Sequence, residues 1–348
     1  MFSWLPTILA VSLASGLVLL LQTFVFSKKR WDPRGQHCYV TGGSAGLGLS
    51  LAILLTRKGA DVSIVARDEE RLQKALELME AERRTPNQLL KSYSYSLHDA
   101  TCARDALEAA CHPHGGKCPD VVFLCAGSST PGFFIEEDDA SLRRGMDNTY
   151  WAAAWSALAA AKRMVRHRAK GKIVFVSSVL GYMSIIGYSS YSPGKFAIRG
   201  LAETLRSELQ LYPIDVHIFF PGTIYSPGYE NENKTKPKVT LKIEEADEGL
   251  KPEQAAQVLL DGVQRNYFHV SADFNINIFR TTSRGPTPLN NALFDWIYAV
   301  IGWIALPLWR WSVDRTIKNH RKDHLDYLEQ KGFFSEDAVG SNHKVIAR

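Results

Sequence analysis

From about residue 36 to 265, short apolar runs alternate with longer stretches in which apolar residues recur every three or four positions. Near-continuous apolar runs bounded by turn residues read as strands buried on both faces, and the longer periodic stretches read as helices. The pattern predicts strands at 37–40, 62–65, 89–96, 121–124, 173–176 and 216–220. It predicts helices at 46–57, 69–83, 103–110, 142–166, 191–211 and from 251 to about 265. Such alternation specifies an α/β fold, a doubly wound parallel sheet of Rossmann-like design with helices on both faces. The rhythm breaks between 227 and 249, where the chain is charged and punctuated by prolines, and helix is expected only in pieces. In a compact domain, a segment of that kind is usually a lid or a binding loop.

Both ends depart from this pattern. Residues 3–26 form an uncharged apolar run, followed at once by Lys28, Lys29 and Arg30. The run is long enough to cross about 30 Å of hydrocarbon as a helix. A cleaved signal peptide carries its positive charge ahead of the apolar run. Here the charge follows, so the positive-inside rule places the bulk of the chain in the cytosol, behind an N-terminal transmembrane helix. A second apolar run, 293–308, contains Asp295, Pro307 and two tryptophans, Trp296 and Trp303, with Trp309 and a basic stretch next. Tryptophan enrichment suits the headgroup zone. The run is expected to lie along the membrane or re-enter it, with a full span as the alternative.

Composition adds limits. The chain has 348 residues, 45% hydrophobic and 22% charged, which is ordinary globular usage and ample for a full core. The net charge of +5 is mild. It does not call for nucleic acid, and it suits an anionic membrane surface or a phosphorylated cofactor. Five scattered cysteines argue against a disulfide framework and fit a reducing compartment. Cys111, His112, His114 and Cys118 crowd together without a second group at zinc-finger spacing, so no metal is expected.

The candidate chemistry has two parts. Thr41-Gly42-Gly43-Ser44-Ala45-Gly46-Leu47-Gly48 follows the first predicted strand and opens the first predicted helix. There, glycines let backbone N–H groups approach a pyrophosphate at a helix N-terminus. At the end of the second strand, where an acid would bind a ribose 2′-hydroxyl, stand Ala66 and Arg67. A guanidinium there grips a 2′-phosphate instead, which favours NADPH. Tyr191 and Lys195, four residues apart, stack on one helix face. The ammonium of Lys195 is expected to lower the phenol pKa and make Tyr191 a better proton donor. Ser178 ends a predicted strand, where its hydroxyl can hold a substrate oxygen. Asn148 is placed to fix a water beside Lys195 or to bond a backbone group. The same Tyr-x-x-x-Lys spacing recurs at Tyr327 and Lys331, in a tail without other chemistry.

Over roughly 36–270 these residues resemble the short-chain dehydrogenase/reductase family. Gly42, Gly46 and Gly48 fall on its glycine motif, and Asn148, Ser178, Tyr191 and Lys195 on its catalytic tetrad. The resemblance implies cofactor contacts from these glycines with Ser44, Leu47, Arg67, Ala126, Gly127, Tyr191, Lys195, Pro221, Gly222, Ile224 and Ser226. Two departures stand out. The family's Asn-Asn-Ala-Gly is Leu124-Cys125-Ala126-Gly127, which is expected to loosen the pinning of the fourth strand. Its adenine-side Asp is replaced by Leu97, with Asp99 close by. The stretch from Ser226 to Pro237, with Lys251-Pro252-Glu253-Gln254, is similar to the substrate loop of 3-ketodihydrosphingosine reductases. That group is anchored in the endoplasmic reticulum, faces the cytosol and reduces 3-oxosphinganine with NADPH in sphingolipid synthesis.

The implied organisation is a membrane anchor at 1–30, a catalytic domain at 31–285 with a substrate loop at about 225–250, and a membrane-associated segment with a basic tail at 286–348. The implied partners are a lipid substrate and the membrane, with no nucleic acid, and the fold often pairs into homodimers. Two readings compete: a membrane-bound carbonyl reductase for steroid, retinoid or acyl-chain ketones, and a dinucleotide-binding scaffold or sensor without turnover.

Overall fold

The computed structural model describes residues 30–245 and 247–334. The expected anchor at 1–30 lies outside these residues except for Arg30.

Seven strands form one parallel sheet in the order β3-β2-β1-β4-β5-β6-β7. They are β1 (His37–Thr41), β2 (Asp61–Ala66), β3 (Leu90–Ser94), β4 (Val121–Leu124), β5 (Gly171–Val176), β6 (Ile214–Phe220) and β7 (His269–Ser271). β1 and β4 are buried at every position, as expected for strands that helices cover on both faces. Strand order reverses between β1 and β4, so a crevice opens at their carboxyl ends, where ligands of open α/β sheets bind.

Along the chain the helices are α1 (Gly46–Arg57), α2 (Glu69–Glu80), α3 (Ala100–Cys111), α4 (Asp139–Met146), α5 (Ala152–Arg166) and α6 (Ser192–Glu208). Two short ones, α7 (Pro227–Asn233) and α8 (Lys238–Glu244), fill the charged segment before α9 (Pro252–Gln264). Leu51 and Leu55 of α1, Leu72 and Met79 of α2, and Leu259 and Val263 of α9 build the core on one face of the sheet. Ala106 and Leu107 of α3, the alanines of α5, and Ile198 and Ala202 of α6 build the core on the other. Asp68 and Asp99 cap α2 and α3 by accepting backbone N–H groups of their first turns.

Two features differ from the sequence reading. The predicted helix at 142–166 is α4, then a π-helical turn at Asp147–Trp151, then α5. Beyond α9 lie a strand and a helix that the pattern did not predict: the three-residue β7 and α10 (Phe274–Ser283).

The second apolar run becomes a single helix of 28 residues, α11 (Ala292–Asn319), which continues through Pro307 and is followed by α12 (Arg321–Gln330). Its most apolar window has a mean hydropathy of 1.5, so the helix is long and apolar enough to cross a membrane. It is one helix rather than a re-entrant reversal. A narrow stripe packs on the domain: Ala292, Asp295, Gly302 and Val313 are buried. Gly302 makes this fit, because a Cβ there would stand 2.5 Å from Thr282 Cγ2 on α10. Asp295 does not interrupt the apolar surface. It turns inward and takes a two-pronged contact from the buried Arg280, at 2.5 and 3.0 Å. Trp296, Trp303, Ile304 and Leu308 remain exposed, Trp303 by 81%.

Candidate active site

Tyr191 is the residue immediately before α6, and Lys195 lies in that helix's first turn, with Pro193 near its start, where a missing N–H does little harm. Lys195 is buried, and its Nζ donates to the Val176 carbonyl at 3.0 Å and lies 5.4 Å from the Tyr191 ring centroid. Burial brings the ammonium pKa down to about 8, and the Cys125 thiol works weakly the other way. The Tyr191 phenol is pushed above its ordinary value, chiefly by burial and also by the Glu232 carboxylate, while hydrogen bonding with Ser178 lowers it. The expectation that Lys195 holds the phenol down is therefore not met in this arrangement. The ammonium is engaged with a carbonyl, and desolvation of the phenolate outweighs other influences.

Ser178 lies two residues beyond β5 and is buried; its hydroxyl accepts the Leu180 N–H at 3.2 Å, capping a short turn beside the phenol. The neighbouring Ser177 hydroxyl donates to the Lys195 carbonyl at 3.0 Å and ties α6 to the sheet. Asn148 lies in the π turn. A Cβ on Gly127 would stand 3.1 Å from the Asn148 carbonyl and 3.7 Å from Lys195 Nζ, so both groups converge on that bare glycine. π turns are rare and are enriched at functional sites. Two glycines that the sequence reading did not count as site residues hold this geometry. A Cβ on Gly194 would fall 1.8 Å from Thr149 Oγ1, and one on Gly145 would fall 2.2 Å from the Ser190 carbonyl. Bare Gly194 lets α6 approach the π turn so closely, bare Gly145 lets α4 approach the chain just before α6, and glycines inside helical runs were the available signal.

One cavity of about 660 Å³ joins all of this. It runs from the turn at Gly42, Ser44, Gly46, Leu47 and Gly48, past Arg67, to Tyr191 and Lys195. Ala126, Gly127, Asn148, Ser178, Pro221, Gly222, Ile224 and Ser226 also line it, so every sequence-predicted site residue borders the same space. Gly42 has φ +68°, and a Cβ on Gly48 would collide with the Gly42 carbonyl at 2.3 Å, so the turn is built for close backbone approach. Arg67 is exposed, and among the described residues no carboxylate pairs with its guanidinium. The glycine cradle, the bare helix N-terminus and this unpaired cation fit a phosphorylated dinucleotide.

At the far end, the cavity reaches Phe279 of α10 and Trp309 of α11, whose rings meet edge-on at 5.2 Å. Neither was predicted as a site residue: the helix that carries Phe279 was not foreseen, and Trp309 was read with the membrane-associated run. The two family departures also resolve. The Ala126 N–H bonds the Thr41 hydroxyl at 3.1 Å, so a threonine pins the end of β4. Leu97 lines the cavity, while Asp99 is taken up in capping α3. The second Tyr-x-x-x-Lys pair sits elsewhere: Tyr327 and Lys331 both bind Glu136, at 3.0 and 2.7 Å.

Residues 36–237 match the family model for short chain dehydrogenase. The chain belongs to the short-chain dehydrogenase family. Curated relatives place it among the 3-ketodihydrosphingosine reductases of that family. It is 40% identical over 334 residues to 3-ketodihydrosphingosine reductase TSC10 of Cryptococcus neoformans, covering 95% of this chain and 99% of the relative. It is 34% identical to 3-dehydrosphinganine reductase of Danio rerio, covering 76% and 79%, and 34% identical to 3-ketodihydrosphingosine reductase of Bos taurus, covering 74% and 78%. Among solved structures, a short-chain dehydrogenase from Sphingobium yanoikuyae in complex with NADPH has the same fold, with a TM-score of 0.59 at 22% identity, covering 68% of this chain and 87% of that one. For a short-chain dehydrogenase with this cradle, the cofactor is a nicotinamide dinucleotide.

Proposed function

We propose that this chain is a membrane-associated, NADPH-dependent reductase that converts 3-ketodihydrosphingosine (3-oxosphinganine) to sphinganine in sphingolipid synthesis. The observation that carries this reading is the cavity that joins a dinucleotide cradle, the Tyr191 phenol and the apolar rings of Phe279 and Trp309. Near-full-length similarity to reductases of that name supports the choice of ketone.

The glycine turn and Lys195 would hold the pyrophosphate and the nicotinamide ribose, and Arg67 the 2′-phosphate that distinguishes NADPH. When bound, the reduced nicotinamide supplies a hydride to the ketone carbon. Tyr191 donates its phenol proton to the ketone oxygen, so hydride and proton together give the alcohol. Ser178 holds that oxygen beside the phenol. Lys195 and Asn148, converging on Gly127, return a proton toward Tyr191 through water. The alkyl chain leaves past Trp309 toward the exposed apolar side of α11. This path keeps the chain out of water, where each exposed CH₂ costs about 0.8 kcal/mol. The reading includes an endoplasmic reticulum membrane with the catalytic domain on the cytosolic side.

Replacing Tyr191 with Phe tests this. NADPH oxidation with 3-ketodihydrosphingosine is expected to fall by at least a thousandfold, with NADPH affinity retained. Undiminished turnover in that variant refutes the assignment. A steroid ketone reduced faster than the sphingoid ketone by the unaltered protein would point to a different lipid.

A further inference from the structure

The charged segment over the cavity carries an ion cluster that the steps above leave unused. The Lys236 side chain is buried, and its Nζ stands 2.6 Å from Glu244 Oε2 and 3.1 Å from Glu232 Oε1. The Tyr188 hydroxyl lies 2.7 Å from one oxygen of each glutamate, so its single proton is shared between them. The same ammonium sits 4.8 Å from the Tyr229 ring centroid. Glu232 belongs to α7, Glu244 ends α8, Lys236 lies in the link between them, and Tyr188 belongs to the body of the domain.

A second contact seats α8 on the same spot. The Thr240 hydroxyl donates to the Ile186 carbonyl at 2.9 Å, and a Cβ on Gly187 would meet that hydroxyl at 2.6 Å. Tyr188 in turn reaches the reacting residue. Its carbonyl accepts the N–H groups of Tyr191 at 3.1 Å and Ser192 at 2.9 Å. Whatever fixes Tyr188 therefore fixes the start of α6. Tyr188, Glu232 and Glu244 all border the cavity beside Tyr191. Among the described residues, Lys236 is the one positive charge paired with these two negative ones. Without it, the cluster changes from cohesive to repulsive, because a buried charge that loses its partner is strongly unfavourable.

We propose that Lys236 is a positioning residue for the reduction: together with Glu232, Glu244 and Tyr188 it latches α7 and α8 onto the strand of chain that begins α6, so that the cavity wall and the Tyr191 phenol are set as one unit. The kinetic side of this rests on the reductase reading; the structural side does not.

The test uses the full chain in detergent micelles and compares Lys236→Met, Lys236→Arg and Tyr188→Phe. Lys236→Met is expected to lower kcat/KM for 3-ketodihydrosphingosine at least tenfold, with most of the loss in kcat. NADPH affinity should stay within threefold, because the glycine turn is untouched. Trypsin should cut after Lys234, Lys238 or Lys242 at least tenfold faster. Lys236→Arg should restore both readouts, and Tyr188→Phe should show a smaller loss of the same kind. If Lys236→Met fails to fold, the triple variant Lys236→Met, Glu232→Gln, Glu244→Gln removes every charge, and faster trypsin cleavage is expected there too. Unaltered turnover and cleavage in Lys236→Met overturn the proposal. So does a parallel loss of NADPH binding, which would mark a general structural role. If the unaltered protein does not reduce the ketone, the reductase reading fails, and the cleavage rates alone decide the latch.

Discussion

Replacing Gly194 with Ala separates two physical effects by the sign of a stability change. Helix propensity alone favours the substitution by about 1 kcal/mol, since alanine is the better helix former. The packing argues the opposite. The new methyl would sit 1.8 Å from Thr149 Oγ1 and 2.7 Å from Thr149 Cβ. That hydroxyl is already committed, bonding the Gly145 carbonyl at 2.6 Å in a buried place. Relieving the clash means breaking that bond, about 1–3 kcal/mol, or separating α6 from the π turn, an overpacking cost of about 1–3 kcal/mol. Subtracting the propensity gain of about 1 kcal/mol leaves a net loss of about 1 kcal/mol. At roughly 2–4 °C per kcal/mol for larger domains, Tm should fall by about 2–4 °C in a thermal unfolding scan. Turnover should fall more steeply, because Tyr191 and Lys195 would move relative to Asn148, and misplacement by about 1 Å costs on the order of a hundredfold. Adding Thr149→Ala should restore only part of both, since the Cβ contact remains. A Gly194→Ala protein with raised Tm and full turnover would show that the close approach of α6 to the π turn carries no weight.

Three further outcomes follow from the geometry. Arg67→Ala should weaken NADPH binding by about ten- to a hundredfold, the worth of one charged hydrogen bond at roughly 1.5–3 kcal/mol, and leave NADH binding unchanged in a titration of both cofactors. Burial places the Lys195 pKa at about 8, below its unfolded value of about 10.4. The unfolded chain therefore binds more protons across that window, and the wild type should gain stability relative to Lys195→Met as pH rises from about 8 to 10, measured by denaturant midpoints. Asp295→Ala strands the buried Arg280 guanidinium and should cost about 3–5 kcal/mol, while Arg280→Met with Asp295→Leu should cost clearly less in the same unfolding assay.

The sheet was legible where strands are continuous apolar runs: the run at 121–124 and the helix at 46–57 appear with the expected bounds. That Tyr191, Lys195 and Ser178 lie together was legible because they take their places from one helix start and the turn after one strand. What escaped depends on contacts between distant segments. The alanine-rich stretch after Asn148 has no local mark of a π turn; the turn is set by packing against α6. β7 has only three residues, and its pairing with β6 comes from tertiary context. Asp295 looked like a break in an apolar run, because its partner Arg280 lies in a helix that the periodicity did not reveal. The Lys236 cluster joins residues from 188 to 244, a span over which spacing carries no signal.

The oily outer side of α11 has a practical consequence for enzymology. Exposed Trp296, Trp303 and Leu308 share a helix with Trp309, which lines the cavity; if, as proposed, that helix rests on a membrane, the protein would draw a water-insoluble ketone from that two-dimensional layer. Its rate would then follow the mole fraction of ketone in that layer, so diluting the ketone with inert amphiphile at constant molarity should slow the reaction, and doubling the volume of buffer should leave it nearly the same.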